Sequence, residues 1–130
     1  MRIAKIHRVE ERYALAASEY KRAHLAAVDF GCRKLEADVL SEQSRLALTL
    51  GDAETARLRA MGSLQICNEL AMGLRVTTAL VDLGKATLLE GDGDLDLGRA
   101  YLDLARTMAK RQGYWLRYRD AEKTLGELGE

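Results

Sequence analysis

The 130-residue chain contains no proline, and its aromatic residues are few: five Tyr, one Trp and one Phe. Without proline, no position loses the amide that a helix interior needs. Scarce aromatic, Val and Ile residues, set against an excess of Leu and Ala, favour helices over strands. There are only two cysteines, Cys32 and Cys67, too few for a disulfide framework and not spaced as a metal-binding pair. They read as reduced, packed thiols. Neither sign of charge is in excess, because 20 Lys+Arg balance 20 Asp+Glu. A chain devoted to nucleic acid normally carries a basic surplus, so direct nucleic-acid binding is disfavoured. No stretch approaches the ~20 apolar residues of a membrane span, and no signal-peptide core follows Met1. The expectation is a soluble, cytoplasmic protein with no membrane contact.

What is present is a 48% hydrophobic, 31% charged composition, which excludes disorder. The length suits one domain that buries roughly two-thirds of its unfolded surface. With proline gone, glycine is the strongest punctuation. Gly31, Gly51, Gly73, Gly91 and Gly113 separate segments in which apolar residues recur at helical spacing. The first stripe is Ile6, Val9, Tyr13, Ala16, Ala17, Tyr20, Ala23, Ala27 and Phe30. Leu35 to Leu50, Ala56 to Leu70, Val76 to Leu88, Leu97 to Met108 and Trp115 to Leu128 supply five more. Six helices joined by short turns, with no strand candidate, give an all-α fold of antiparallel neighbours.

The helices also repeat. Gly51 and Gly91 stand 40 residues apart, and Gly31, Gly73 and Gly113 recur at 42 and 40. Leu80, Leu83 and Gly84 precede Gly91, and Leu40, Gln43 and Ser44 precede Gly51 in the same register. Gly98, Leu102 and Ala105 follow in one segment, Ala56, Ala60 and Ser63 in another, and Ala16, Tyr20 and Ala23 before Gly31. Small residues at such spacing let neighbouring helices approach closely.

This pattern resembles the tetratricopeptide repeat family. Leu80, Leu83, Gly84 and Gly91 fit the first half of that motif, and Gly98, Leu102 and Ala105 the second. Leu40, Ser44, Gly51, Ala56 and Ser63 fit the preceding repeat, with Gln43 and Ala60 off-pattern. The resemblance spans roughly residues 37–113, and the period exceeds the family's 34 residues by about six. It is similar to the long repeats of bacterial regulators of the maltose-activator type and of peptide-sensing regulators. It implies one domain over 1–130, an antiparallel helix-hairpin array (an α-solenoid). Residues 1–31 form an edge helix or half-repeat, 35–73 and 75–113 are repeats, and 114–130 is a capping helix. A solenoid end without a polar cap exposes apolar surface. The first helix therefore belongs either to a longer array, of which this chain is a fragment, or to an edge that pairs with a second copy as a homodimer.

Candidate chemistry is sparse. Asp92, Asp94, Asp96 and Asp103 occupy positions 1, 3, 5 and 12 of a calcium-loop pattern, but Leu97 stands where its glycine is required. Capping of a helix start by Asp94 or Asp96 is the better reading. His7 and His24 lack a third partner for a metal. Ser18, Ser41, Ser44 and Ser63 lie in helical contexts without a nucleophile elbow, and no phosphate-cradling glycine loop is present. No catalytic, cofactor-binding or metal residue is assigned, and no cofactor is implied. Arg106, Lys110, Arg111, Tyr114, Trp115, Arg117, Tyr118, Arg119 and Lys123 form a basic, aromatic cluster. Nucleic acid could use such interleaving, but Trp115 and Tyr118 read as core packing with a solvated basic rim, and an acidic peptide partner is a milder use of the same charges.

If the repeat register holds, the first helix of each pair lines a groove. Its expected residues are Asp38, Ser41, Glu42, Arg45 and Thr49, then Thr78, Val81, Asp82, Lys85 and Leu89, with Arg119 and Lys123 beyond. Such a mixed-charge surface suits an extended or helical peptide or a protein partner. The expected function is a non-catalytic interaction module. The alternative is a sensor or self-association segment of a bacterial signalling or transcription regulator. Replacing Arg45 or Lys85 by Ala is expected to weaken a partner without loss of stability.

Overall fold

A computed structural model describes residues 2–90 and 94–128, with side chains from Val9 onward. These residues form six helices: α1 (Arg2–Asp29), α2 (Arg33–Thr49), α3 (Ala53–Glu69), α4 (Gly73–Leu89), α5 (Leu95–Gln112) and α6 (Trp115–Glu127). No strand occurs among the described residues, so the fold is the all-α array that the apolar spacing demands. Gly91, Asp92 and Gly93 lie outside the described residues, as does the side chain of His7.

Four of the turns share one device. Gly31, Gly51, Ala71 and Gly113 adopt the left-handed conformation, with φ of 67°, 77°, 55° and 69°. In each, the next residue's amide reaches back five positions: Cys32 to Ala27, Asp52 to Ala47, Met72 to Cys67 and Tyr114 to Ala109, over 2.8–2.9 Å. This is the six-to-one bond of a Schellman turn, which satisfies a carbonyl that the helix end leaves open. All four accepting residues are small and buried. Cys67 belongs to that set, so its thiol has a packing role; burial raises its pKa, with a bond to Ser63 opposing. Cys32, by contrast, is exposed. Gly73 is not a turn residue, since it opens α4 and Ala71 takes the left-handed position. At the other helix ends, Asp52 accepts from the Thr55 amide at 3.2 Å and Asp94 from the Leu97 amide at 3.1 Å. Asp94 is thus the cap of α5.

Sequential helices pack on one another throughout. At the α4–α5 crossing, Gly84 faces Gly98. A Cβ on Gly84 would come within 2.7 Å of Leu102 Cγ, and one on Gly98 within 2.7 Å of Leu88 Cδ2. At the α2–α3 crossing, Ser44 stands where Gly84 stands forty residues later. Its hydroxyl, fully buried, donates to the Ala56 carbonyl at 2.8 Å. Ser63 likewise donates to the Ala37 carbonyl at 3.0 Å. Small residues make these crossings close, and hydroxyls use the closeness to reach backbone across the interface.

Beyond its sequence neighbours, α4 also lies close to α2 and α6, whereas the backbones of α3 and α5 stand further apart. The first helices of the hairpins therefore form a tight inner row, α2–α4–α6, and the second helices splay outward. Packed from four sides, α4 is buried without interruption from Val76 to Gly84. The main core gathers round it: Leu40, Ile66, Leu80, Val81, Leu102 and Leu125. Full burial of each such side chain contributes about 1.5–3 kcal/mol.

Two expected faces differ. On α1, Tyr13, Ala16, Tyr20, Ala23 and Ala27 face α2, but Val9, Ala17 and Phe30 are exposed. Among the described residues α2 is the helix that lies close along α1, and one helix covers only part of so long a stripe. On α6, Ala121 and Leu125 are buried, but Trp115 is 55% exposed. It packs edge-to-face on Tyr118, ring centroids 5.6 Å apart, and is a surface residue instead of a core one.

Candidate ligand groove on the inner helix row

The inner row presents two neighbouring cavities. Asp38, Ser41, Glu42 and Arg45 lie three and four positions apart on α2 and so share one face. With Leu74, Arg75 and Thr78 of α4 and Tyr114 and Arg117 at the start of α6, they line a cavity of about 480 Å³. Towards the other end of the row, Leu48, Lys85, Leu88, Leu89, Asp120 and Lys123 are among the residues lining a second, of about 400 Å³.

Charged pairs link the three helices across this face. Arg75 holds Asp38 with two bonds, Nε to Oδ1 at 2.7 Å and Nη2 to Oδ2 at 3.4 Å. Arg45 donates to Glu42 at 2.7 Å and, through Nε, to Asp82 at 3.5 Å. Lys85 donates to Asp120 at 2.6 Å. Arg117 donates to the other Asp120 oxygen and to the Thr78 hydroxyl, each at 3.3 Å. Tyr20 of α1 donates to Glu42 at 3.5 Å, tying the edge helix to the row.

Asp82 is the buried member, 3% exposed. Burial pushes its carboxyl up to about 6, while Arg45, Arg117 and Lys85 pull it back. Desolvation outweighs three cations because an ion in the interior loses its hydration before neighbours repay it. Tyr114 moves the opposite way for a phenol. The Thr78 hydrogen bond, followed by Arg117, lowers its pKa against desolvation.

The structure brings together Asp38, Ser41, Glu42, Arg45 and Thr78 at the first cavity, and Lys85, Leu89 and Lys123 at the second. Val81 is a correction. It is fully buried in the core cluster, because α4 packs on four neighbours and leaves that side nothing to bind with. Asp82 is buried and lines neither cavity, meeting the groove only as a partner of Arg45. Thr49 is exposed at the end of α2, its hydroxyl bonded to the Arg45 carbonyl, and lines neither cavity. Arg119 is also exposed and lines neither; two residues from Arg117, it falls on the other side of α6. The α6 face that does line the groove is Arg117, Asp120, Thr124 and Glu127. Tyr114 and Arg117 were assigned to the C-terminal basic cluster instead of the groove, and Arg75 and Asp120 were missed. Their signal was the spacing of the cross-helix pairs: Asp38–Arg75 and Arg45–Asp82 are both 37 residues apart, and Lys85–Asp120 is 35.

Neither histidine nor cysteine lines either cavity. His24 lies 3.9 Å from Glu36 on the α1–α2 surface. No group of three or more His, Cys, Asp or Glu able to hold a metal comes together among the described residues, and no helix among them is long and apolar enough to cross a membrane. The face offers paired charges, hydroxyls and two open cavities. Comparison of the chain with known proteins finds no matching family model, no matching curated protein and no matching solved structure.

Proposed function

We propose that this chain is a non-catalytic module, built on tetratricopeptide-like hairpins, that binds a peptide or protein segment along the inner α2–α4–α6 row. The observation that carries the reading is the pair of cavities on that row, joined by a floor of cross-helix ion pairs. A bound segment finds apolar contact at Leu74 and Leu89 and hydrogen-bonding charge between them. Charged side chains on three rigid helices are pre-organised, which lowers the ordering cost of binding.

The test needs substitutions that leave the fold alone. Arg45→Ala is unsuitable, because it strips the nearest cation from buried Asp82, and such orphaned charges are strongly destabilising. Leu74 and Leu89 are 54% and 45% exposed, so Leu74→Glu and Leu89→Glu spare the core. A random peptide library selected on the native chain is expected to yield binders whose affinity falls about tenfold or more in either variant, with thermal unfolding unchanged. Binders indifferent to both substitutions, or no binders, would remove the reading.

A second reading, self-association as part of a bacterial signalling or transcription regulator, is favoured by α1. That helix exposes Leu15, Leu25 and Val28, and Phe30 just past its end is 87% exposed.

A further inference from the structure

We infer that the cavity walled by Arg45, Arg75 and Arg117 receives an anionic oxygen group, the carboxylate or phosphoryl group of an acidic or phosphorylated peptide. This rests on the inner row being a peptide groove and names the chemistry it selects. The three arginines come from three different helices, α2, α4 and α6, and line one cavity of about 480 Å³. No local helix requirement places them together, so the cluster is a product of the tertiary fold.

The guanidinium groups are the lining's main donors. The Ser41 hydroxyl donates to Ser63 at 2.7 Å and the Thr78 hydroxyl to the Leu74 carbonyl at 3.2 Å, while the carboxylates of Asp38 and Glu42 share the lining. All three Arg75 nitrogens have internal partners, Nε and Nη2 on Asp38 and Nη1 on the Met72 sulfur, whereas the other two arginines are only partly engaged. Arg45 engages Nε and Nη1, and Arg117 likewise Nε and Nη1, so the second terminal nitrogen of each retains donors for an incoming oxygen. The planar fork of arginine matches carboxylate and phosphate oxygens in pairs, where a lysine would act only as a point charge. The arginine side chains are 36%, 42% and 18% exposed, open enough to meet a ligand and screened enough for the bond to count.

The experiment is an NMR titration of the isotope-labelled chain with sodium phosphate and, separately, sodium acetate, with sodium chloride holding the ionic strength constant. Saturable shifts are expected at Ser41–Arg45, Leu74–Thr78 and Tyr114–Arg117. They should weaken about tenfold or more in Arg75→Gln and in Arg117→Gln, the loss expected for a charge-assisted hydrogen bond. Arg119→Gln, off this face, should leave them unchanged. Saturation by phosphate well below acetate identifies a phosphoryl group; saturation by acetate at equal or lower concentration identifies a carboxylate. The inference is overturned if neither ion saturates, or if both Gln variants titrate like the native chain. It also falls, with the groove reading left standing, if peptides selected on the native chain are basic and bind Arg117→Gln unchanged.

Discussion

Asp82 shows how far a single residue can depart from its place in a pattern. Its helical spacing from Thr78 and Lys85 sets it on their side of α4, but spacing carries no information about depth. Desolvation raises its carboxyl from 3.8 to about 6. The folded chain therefore holds this proton to higher pH than the unfolded chain does. Below about pH 3.8 both states are protonated. Between there and about pH 6 the unfolded state ionises first, so stability falls as pH rises, and above 6 the loss is constant. The shift corresponds to about 3 kcal/mol. Asp82→Asn cannot ionise and escapes this loss. Urea unfolding of the two proteins is expected to show the variant gaining on the native chain by about that amount from pH 4 to 6.5. Parallel stability profiles for the two proteins would contradict the assignment. Arg45 and Lys85 looked alike in the sequence and are not alike here: Lys85 meets a half-buried Asp120 that Arg117 also holds, whereas Arg45 supports a buried acid.

At the scale of helices and turns, the sequence was legible almost throughout. Apolar spacing located all six helices, and Asp94 was recognisable as a cap. The turn register was misread at one place. Gly73 drew attention because glycine commonly marks a helix end, yet the left-handed residue there is Ala71. The sharper signal was the buried small residue four positions before each left-handed one: Ala27, Ala47, Cys67 and Ala109. Substitutions at turn and crossing should act in opposite directions. Ala71→Gly relieves a left-handed alanine and is expected to raise stability by about 0.5–1 kcal/mol. Gly98→Ala places a methyl against Leu88 at 2.7 Å and is expected to lower it by about 1–3 kcal/mol. Chemical denaturation of both variants checks the pair; the same sign for both would refute this account of the turns and crossings.

In the whole molecule, the inner row and the edge helix divide the surface. α4 meets four neighbours and is consumed by packing, which is why Val81 belongs to the core. Among the described residues α1 lies along α2 and retains an exposed apolar side at Leu15, Leu25 and Val28. If that side pairs with a second copy, sedimentation velocity will show a reversible dimer that Leu25→Arg returns to monomer, since an unpaired charge in such a contact costs more than the contact supplies. A native chain that stays monomeric at every concentration removes the self-association reading. The sequence by itself determined the all-α class, the six helices, the roughly forty-residue hairpin period and the small residues at the crossings. Each of those follows from local periodicity and backbone preference. Only the tertiary structure decided which charges meet, because Arg75, Arg117 and Asp120 find partners 35 to 39 residues away or across a helix row. It also decided how deeply Asp82 sits, since desolvation depends on every neighbour at once. Balanced charge was visible from the composition; the gathering of three arginines round one cavity was set by the packing of three helices.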